Sequence, residues 1–173
     1  MTALEQESLF RRWLAEHAGL MWRVVRGFAA THEDQEDLLQ EVALQLWMSL
    51  PSFQARAAES TWIYRVAFNT ALAWKRGEKR RGVKHEKFFE LNADSATSPD
   101  PHGQPGEDMV QSLYIAIRQL PRLDASLALM HLDGVSYREI SEVLGLTESN
   151  VGVKLNRIRK QLAKLLKGEK DEL

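Results

Sequence analysis

The sequence contains no cysteine among its 173 residues. Because disulfides, thiolate metal sites and thiol nucleophiles all need cysteine, those three kinds of chemistry are excluded. No apolar run is long enough to cross a bilayer and the N-terminus has no signal-peptide pattern, so we expect a cytoplasmic protein without membrane insertion. The formal net charge is only −1, and the overall basic field that would indicate a nucleic-acid partner is therefore missing as well.

Positive charge is instead concentrated in two clusters. The first follows Trp74, where seven Lys or Arg residues stand against three Glu residues before residue 92. The second occupies residues 151–168, which contain six Lys or Arg residues and no acid. Cationic clusters in a nearly neutral chain predict two separate contacts with phosphate groups. The alternative for each cluster is an ordinary solvated surface.

The stretch 136–162 carries strong local signals. Ser136 and Glu139 have the S-x-x-E spacing of a capping box, which predicts the start of a short helix. Gly145 follows where that helix must end, because glycine tolerates the positive φ of a sharp helix end. Thr147 is a suitable N-cap for a second helix, in which Val151 begins a series of apolar residues at helical spacing. The pattern predicts two helices joined by a tight turn.

The second of these helices has a polar face apart from its apolar stripe. Asn150, Lys154 and Arg157 lie together on that face at a rotation of about 100° per residue. A helix fits the major groove of duplex DNA, where Asn and Arg side chains can make bidentate contacts with base edges. The arrangement is typical of a DNA-binding helix-turn-helix. A two-helix piece of an ordinary bundle with a solvated basic face is the alternative.

The N-terminal half is predicted to be helical too. Apolar spacing favours a long amphipathic helix over residues 4–28, broken near Gly19, in which Trp13 and Trp22 are expected to be core. A second helix begins after the N-cap Thr31 and ends before Pro51. A third, over residues 61–76, carries aromatic residues nearly all round and is expected to be largely buried.

One face of the second helix is a candidate protein-binding patch. Asp37, Gln40, Glu41 and Leu44 lie away from its apolar stripe. An apolar residue surrounded by acids and an amide is often the centre of such a patch, although a single exposed leucine usually has no role.

The third helix has a stripe that favours nucleic acid. Arg65, Asn69, Leu72 and Arg76 recur on one side, and the first basic cluster follows directly. Single-stranded nucleic acid binds where bases stack on aromatic rings and phosphates meet cations. The alternative is that the aromatic residues are simply core.

Residues 92–108 are rich in Pro, Gly, Ser and Asp and contain no Lys or Arg, which predicts a flexible acidic linker. All five tryptophans precede it, and this shift in composition supports a domain boundary. Helices are predicted at residues 109–120 and 123–132. We therefore expect an all-α protein of two small helical domains, residues 1–91 and 109–173, joined by that linker.

The order of these parts resembles one family. A D-L-L-Q-E-V helix at residues 37–42 is followed by S-T-W-I-Y-R-V-A-x-N-x-A at residues 60–71 and then by a basic run. After the acidic linker come L-P at 120–121 and G-V-S-Y-R-E-I-S-E-V-L-G-L-T-E-S-N-V at 134–151. Together they resemble the bacterial RNA polymerase sigma factors of the extracytoplasmic-function (ECF) group in the sigma-70 family.

The resemblance implies a non-enzymatic transcription initiation factor that needs neither cofactor nor metal. Its partners would be core RNA polymerase, promoter DNA as duplex and as single strand, and an anti-sigma factor. The residues that would contact the polymerase clamp are Asp37, Gln40, Glu41 and Leu44. The residues that would read and melt the minus-ten element are Phe53, Arg56, Ser60, Arg65, Asn69, Lys75, Arg76 and Arg80. The residues that would read the minus-thirty-five element are Asn150, Val153, Lys154, Asn156 and Arg157.

The chain departs from the family pattern in its recognition helix and its basic run. Many members carry a basic residue and a Ser or Thr where this chain has Gly152 and Val153, a change that favours contact between Val153 and a thymine methyl. Gly152 also costs helix stability, up to about 1 kcal/mol. Gly77 and Gly82 weaken the helical continuity of the basic run.

Two other classes of function remain open from the sequence. A stand-alone helix-turn-helix repressor or activator of transcription would explain residues 136–162 but would leave the aromatic helix, the first basic cluster and the acidic linker without a role. A metal-dependent nuclease could use Glu33, Asp34, Glu36 and Asp37. The helix dipole already accounts for acids in a first turn, however, and no His or Ser is placed to act as base or nucleophile.

Overall fold

The computed structural model describes residues 2–55, 57–89 and 105–171, and every regular element in these ranges is helical. A short 3-10 turn, Leu50–Ser52, follows the third helix. The helices, numbered in chain order, are α1 (Ala3–Glu16), α2 (Ala18–Phe28), α3 (His32–Ser49), α4 (Glu59–Phe89), α5 (Pro105–Gln119), α6 (Arg122–Leu132), α7 (Tyr137–Leu144) and α8 (Glu148–Asp171). The prediction of an all-α protein is confirmed.

The helix-turn-helix is formed by α7 and α8 and has the predicted caps. The backbone N–H of Glu139 donates to Ser136 Oγ at 3.3 Å, and the backbone N–H of Ser136 donates to the Glu139 carboxylate at 3.1 Å. The Ser136 hydroxyl also donates to the Glu139 carboxylate at 2.6 Å, and this bond and the one from the Ser136 N–H hold the pKa of Glu139 below its ordinary value. Gly145 ends α7 at φ 67°, and Thr147 Oγ accepts the N–H of Asn150 at 3.2 Å to start α8.

Three predicted boundaries differ in the structure. The first helix breaks at His17 rather than near Gly19, since the chain leaves helical geometry there and restarts at α2. Helix α4 continues past Gly77 and Gly82 to Phe89, because glycine raises the cost of a helix without breaking it. Helix α5 begins at Pro105, four residues before the predicted helix start at residue 109, and proline suits a first helical turn because it needs no N–H bond there.

The N-terminal half packs around α2. Helices α3 and α4 both lie against it, and their apolar stripes are fully buried. Trp13 is buried as predicted, whereas Trp22, also predicted to be core, is 36% exposed. The buried aliphatic residues of these three helices include Val24, Val25, Leu38, Val42, Leu46 and Ile63.

The two halves of the chain pack against each other. Helix α2 contacts α5 and α6, and α4 contacts α7, so that one apolar cluster includes residues from both halves. At Gly27 the contact is very close, because a Cβ atom there would lie 2.5 Å from Cδ1 of Leu129. The helix-turn-helix half therefore packs on the N-terminal half. The predicted flexible linker does not by itself imply this contact.

Candidate nucleic-acid interface

Helix α8 presents an open face on the helix-turn-helix half. Its apolar stripe of Val151, Leu155 and Ile158 is buried, as the spacing predicts. Asn150, Asn156 and Arg157 are exposed, and Val153 is 51% exposed between them. Amide, guanidinium and isopropyl groups on one open helix face can contact base edges in a major groove.

Lys154 differs from its neighbours. Its Nζ lies 3.2 Å from Oδ1 of Asp124 in the first turn of α6, and its side chain is only partly exposed. The ammonium group is thus paired within the domain and holds α8 on α6. Contact of Lys154 with DNA would require this pair to break. The other four residues predicted to read the minus-thirty-five element are exposed, and Lys154 is held apart from them by its pair with Asp124.

Close packing does not require a glycine at position 152 of the recognition helix. A Cβ atom at this position would lie 3.5 Å from Cε2 of Tyr137, which is an ordinary van der Waals distance. The Tyr137 ring also makes an edge contact with His131, at 6.2 Å between ring centroids. The start of α7 therefore lies close beside α8 at Gly152.

A stripe on α4 forms the second candidate surface. Arg65 and Asn69 are exposed as predicted. Ser60, in the first turn of α4, is half-buried. Arg56 lies outside the described residues, and the side chains of Lys75, Arg76 and Arg80 lie outside the described part of α4 as well.

A cavity of about 190 Å³ lies beside Arg65. It is lined by Ser52, Phe53, Gln54, Ala57, Trp62 and Arg65. Phe53 packs edge-on against Trp13 and Trp62, with ring centroids 5.0 and 5.5 Å apart. Trp62 donates its indole N–H to Ser49 Oγ at 3.3 Å. The two rings are therefore held rigidly by the core and present fixed apolar walls to the cavity.

A larger cavity, of about 470 Å³, lies further along α4. Its lining is Glu41, Gln45, Asn69, Thr70, Ala73 and Trp74. Glu41 accepts a hydrogen bond from the Gln45 amide at 2.9 Å. Glu41 was predicted to contact polymerase and Asn69 to contact bases, yet the two line one cavity. The structure thus turns Glu41 toward α4 and away from Leu44.

The exposed face of α3 extends beyond its predicted members. Asp37 and Gln40 are exposed, Leu44 is 50% exposed, and Trp47 and Met48 continue the same face. Met48 is 63% exposed. Neither Trp47 nor Met48 was predicted to belong to this face, although their spacing of three and four residues from Leu44 is a signal that indicates it. These five residues are hereafter the α3 patch.

A groove of about 240 Å³ adjoins this patch. Gln40 lies at its edge, and Trp22 of α2 forms part of its wall. The other lining residues are Leu14, Ala18, Met21, Leu39 and Ala43. An apolar groove beside an exposed apolar stripe is a surface that can take part in protein binding.

Two of the four acids that a nuclease would need are used locally. The Asp34 carboxylate accepts a hydrogen bond from the Thr31 hydroxyl at 2.7 Å, and Glu36 lies 3.5 Å from His32. Within the described ranges, the one group of His and carboxylate side chains close enough to share a metal ion consists of Glu16, His17 and Glu59.

Arg12 already pairs with both carboxylates of that group. Its guanidinium lies 2.6 Å from Glu59 and 3.5 Å from Glu16. The cluster is thus an ion-pair network at the junction of α1 and α4.

In the part of the chain that the structure describes, no helix is long and apolar enough to cross a membrane.

Two family models match the chain in the order of its two halves. "Sigma-70 region 2" matches residues 13–81, and "Sigma-70, region 4" matches residues 111–162. The first match contains the α3 patch and most of α4, and the second contains α7 and most of α8. All three candidate surfaces, on α3, α4 and α8, therefore lie inside matched regions.

Curated relatives resemble the chain over most of its length. The ECF RNA polymerase sigma-E factor of Haemophilus influenzae is 28% identical over 162 residues, which are 89% of this chain and 83% of that protein. The RNA polymerase sigma factor YlaC of Bacillus subtilis is 28% identical over 174 residues, 96% of this chain and 94% of that protein.

A solved structure has a similar fold. It is the sigma factor RpoE of Bartonella quintana in complex with the anti-sigma factor NepR, with a TM-score of 0.68 and 20% sequence identity. The similarity covers 91% of this chain and 96% of that one.

Proposed function

Since the chain belongs to the sigma-70 family of RNA polymerase sigma factors, in its ECF group, we propose that it binds core RNA polymerase and directs it to specific promoters. The observation that carries the proposal is that region 2 and region 4 are matched in the same order as in the family. Each matched region also has an exposed surface whose side chains suit the binding role proposed for it. Members of this family are non-catalytic initiation factors, and the chain acts in the cytoplasm, where the polymerase is.

The α3 patch is the surface that we assign to the polymerase clamp. Leu44 and Met48 supply exposed apolar area, and Asp37 and Gln40 supply polar groups at its edge. Interfaces of this kind combine an apolar centre with a polar rim. Glu41 is a weaker candidate here because its carboxylate is turned toward the α4 cavity.

The α4 stripe is the surface that we assign to the minus-ten element. Single-stranded DNA binds where unstacked bases enter pockets and phosphates meet cations. The cavity beside Arg65 has rigid aromatic walls, and the cavity beside Asn69 offers amide and carboxylate groups that can pair with a base edge. The first basic cluster, which follows along the chain, would bind the phosphates.

The open face of α8 is the surface that we assign to the minus-thirty-five element. Arg157 can make a bidentate contact with guanine, and Asn150 or Asn156 with adenine. Val153 stands between them and offers apolar contact to a thymine methyl. Lys154 serves this face indirectly, since its bond to Asp124 fixes the position of α8.

An anti-sigma factor is a further expected partner. The structurally similar RpoE is bound to one, and its similarity covers both halves of this chain.

A gel-shift comparison tests the function against that of a stand-alone repressor or activator. With core polymerase, the chain should retain a promoter fragment specifically, and without core its retention should be weak. A repressor should bind its operator equally well in both reactions. Tight, sequence-specific binding without core, unaffected by its addition, contradicts the proposal.

A further inference from the structure

We propose that the sulfur atom of Met48 is a site of oxidative modification, at which hydrogen peroxide converts the thioether to a sulfoxide and thereby weakens the binding of core RNA polymerase to the α3 patch. The identity of the partner rests on the proposed function. The reactivity of the site rests on the exposure and the chemistry of Met48 itself.

Methionine supplies all the sulfur chemistry of this chain, since the sequence contains five methionines and no cysteine. Met21 and Met130 are 2% and 0% exposed, and both belong to the apolar core. Met48 and Met109 are 63% and 70% exposed. Because an oxidant must reach the sulfur, peroxide in solution should modify Met48 and Met109 and spare the two buried methionines.

Met48 lies within the α3 patch, in the last turn of α3. At about 100° per residue it is rotated by about 40° from Leu44, so the two side chains form one continuous apolar strip. Leu44 is 50% exposed, and Trp47 beside Met48 is 36% exposed. These are the apolar groups that we assign to the clamp, and the thioether of Met48 is the one among them that peroxide oxidises most readily.

A sulfoxide changes the chemistry of this strip. The thioether side chain is apolar and flexible, and such side chains fill irregular gaps in a binding surface. The sulfoxide carries a polar oxygen instead. Burial of a polar group without a hydrogen bond costs free energy, so the oxidised side chain should favour water over an apolar contact. The oxidised chain is therefore expected to bind core polymerase on the order of tenfold more weakly.

Oxidation of Met48 should leave the fold intact. Helix α3 is held in place by its buried stripe of Leu38, Val42 and Leu46. Among the residues that the structure describes, Met48 does not belong to the apolar cluster. A polar oxygen on its side chain therefore disturbs no core packing. A loss of core binding on oxidation would report a change of the surface and not unfolding.

The modification is a two-electron transfer of oxygen. A lone pair of the sulfur attacks one oxygen of hydrogen peroxide, and the O–O bond breaks as the S–O bond forms. The second oxygen leaves as hydroxide, takes the proton from the oxygen now bound to sulfur and becomes water. Methionine sulfoxide reductases reverse the change, since two thiols are oxidised to a disulfide while the sulfoxide oxygen leaves as water. The modification is thus reversible.

The test compares the affinity for core polymerase before and after oxidation of the chain. Wild type, Met48→Leu and Met109→Leu are treated with hydrogen peroxide, and catalase removes the peroxide before core polymerase is added. Each variant is compared with its own unoxidised form, so any effect of the substitution itself cancels. Peptide mass spectrometry identifies which methionines have gained an oxygen atom, and far-UV circular dichroism checks that each oxidised chain is folded.

The wild type should lose roughly tenfold in affinity on oxidation, whereas Met48→Leu should lose none. Met109→Leu is the matched control. It removes the exposed methionine of α5, a helix without substantial contact with α3 in the described ranges, and it should lose affinity as the wild type does. Methionine sulfoxide reductases should restore the affinity of the oxidised wild type.

Three results would overturn the proposal. In the first, peroxide weakens Met48→Leu as much as it weakens the wild type. In the second, Met48 is fully converted to the sulfoxide and the affinity for core is unchanged. In the third, Met109 gains an oxygen atom under conditions that leave Met48 unmodified.

Met48→Gln separates failure of this proposal from failure of the proposed function. It places a polar amide at the same position without any oxidant, and it should bind core about as weakly as the oxidised wild type. If the unoxidised wild type binds core and supports promoter-specific transcription, while Met48→Gln and the oxidised chain bind equally well, the modification proposal is wrong and the proposed function stands. If the unoxidised wild type does not bind core, the proposed function itself is overturned, and Met48 has no polymerase contact to control.

Discussion

Substitution of Gly27 by alanine should weaken the packing between the two halves. The new Cβ would lie 2.5 Å from Cδ1 and 3.2 Å from Cδ2 of Leu129, and the Leu129 side chain is buried. Overpacking of this kind costs about 1–3 kcal/mol. Alanine also gains about 0.5–1 kcal/mol over glycine inside a helix such as α2. Since overpacking is the larger effect, we expect a net loss of about 0.5–2 kcal/mol.

Gly152→Ala provides the contrasting control. It makes the same substitution inside a helix, but its Cβ would meet Tyr137 at an ordinary 3.5 Å. The helix gain should then dominate, and stability should rise by up to about 1 kcal/mol. The two glycine substitutions are thus expected to have opposite signs.

Urea denaturation followed by circular dichroism and by tryptophan emission measures both effects. All five tryptophans lie in the N-terminal half, so emission reports that half, whereas circular dichroism reports both. In a Leu129→Val background, where the Cδ atoms are gone, the cost of Gly27→Ala should disappear. A stabilising Gly27→Ala in the wild-type background would refute the close packing of α2 on α6.

Three further predictions concern the binding surfaces and the cap. The double substitution Gln40→Ala and Leu44→Ala should weaken core polymerase binding by about 1–3 kcal/mol while the far-UV circular dichroism spectrum is unchanged. Undiminished co-purification with core polymerase would contradict the assignment of this surface to the clamp. Arg157→Ala should cost about 1–3 kcal/mol at one promoter and relax preference at one upstream position, whereas a uniform loss with a smaller salt slope would indicate phosphate contact only. Ser136→Ala should cost about 1 kcal/mol of stability at neutral pH. Because the pKa of Glu139 is lowered in the folded state, the stability that this cap contributes should be lost as the pH falls through that pKa. If wild type and Ser136→Ala lose stability identically on the acid side, this prediction is wrong.

Local signals in the sequence predicted the elements well. The capping box at Ser136 and Glu139, the left-handed Gly145 and the N-cap at Thr147 act over three or four residues. The apolar stripe that begins at Val151 was also correct, because helical spacing alone decides which side of a helix is buried. The helix-turn-helix could therefore be predicted without knowledge of what it packs against.

Contacts between residues far apart in the sequence could not be predicted in the same way. Lys154 was expected on the open face, but Asp124, 30 residues earlier in the chain, draws it toward α6. The partner of Arg65 is a backbone carbonyl 77 residues away, which no side-chain pattern indicates. Trp22 was expected in the core, yet it is partly exposed in the wall of a groove. Other residues of α2 make the buried contacts with the neighbouring helices.

Transcription reconstituted from purified core polymerase and this chain tests the central claim most directly. Run-off transcription on a library of promoter fragments should yield defined start sites only when the chain is added. The active fragments should share one sequence element near minus ten and another near minus thirty-five, and Arg157→Ala should change the preference within the second. Transcripts no more frequent or specific than those of core polymerase alone would contradict the account.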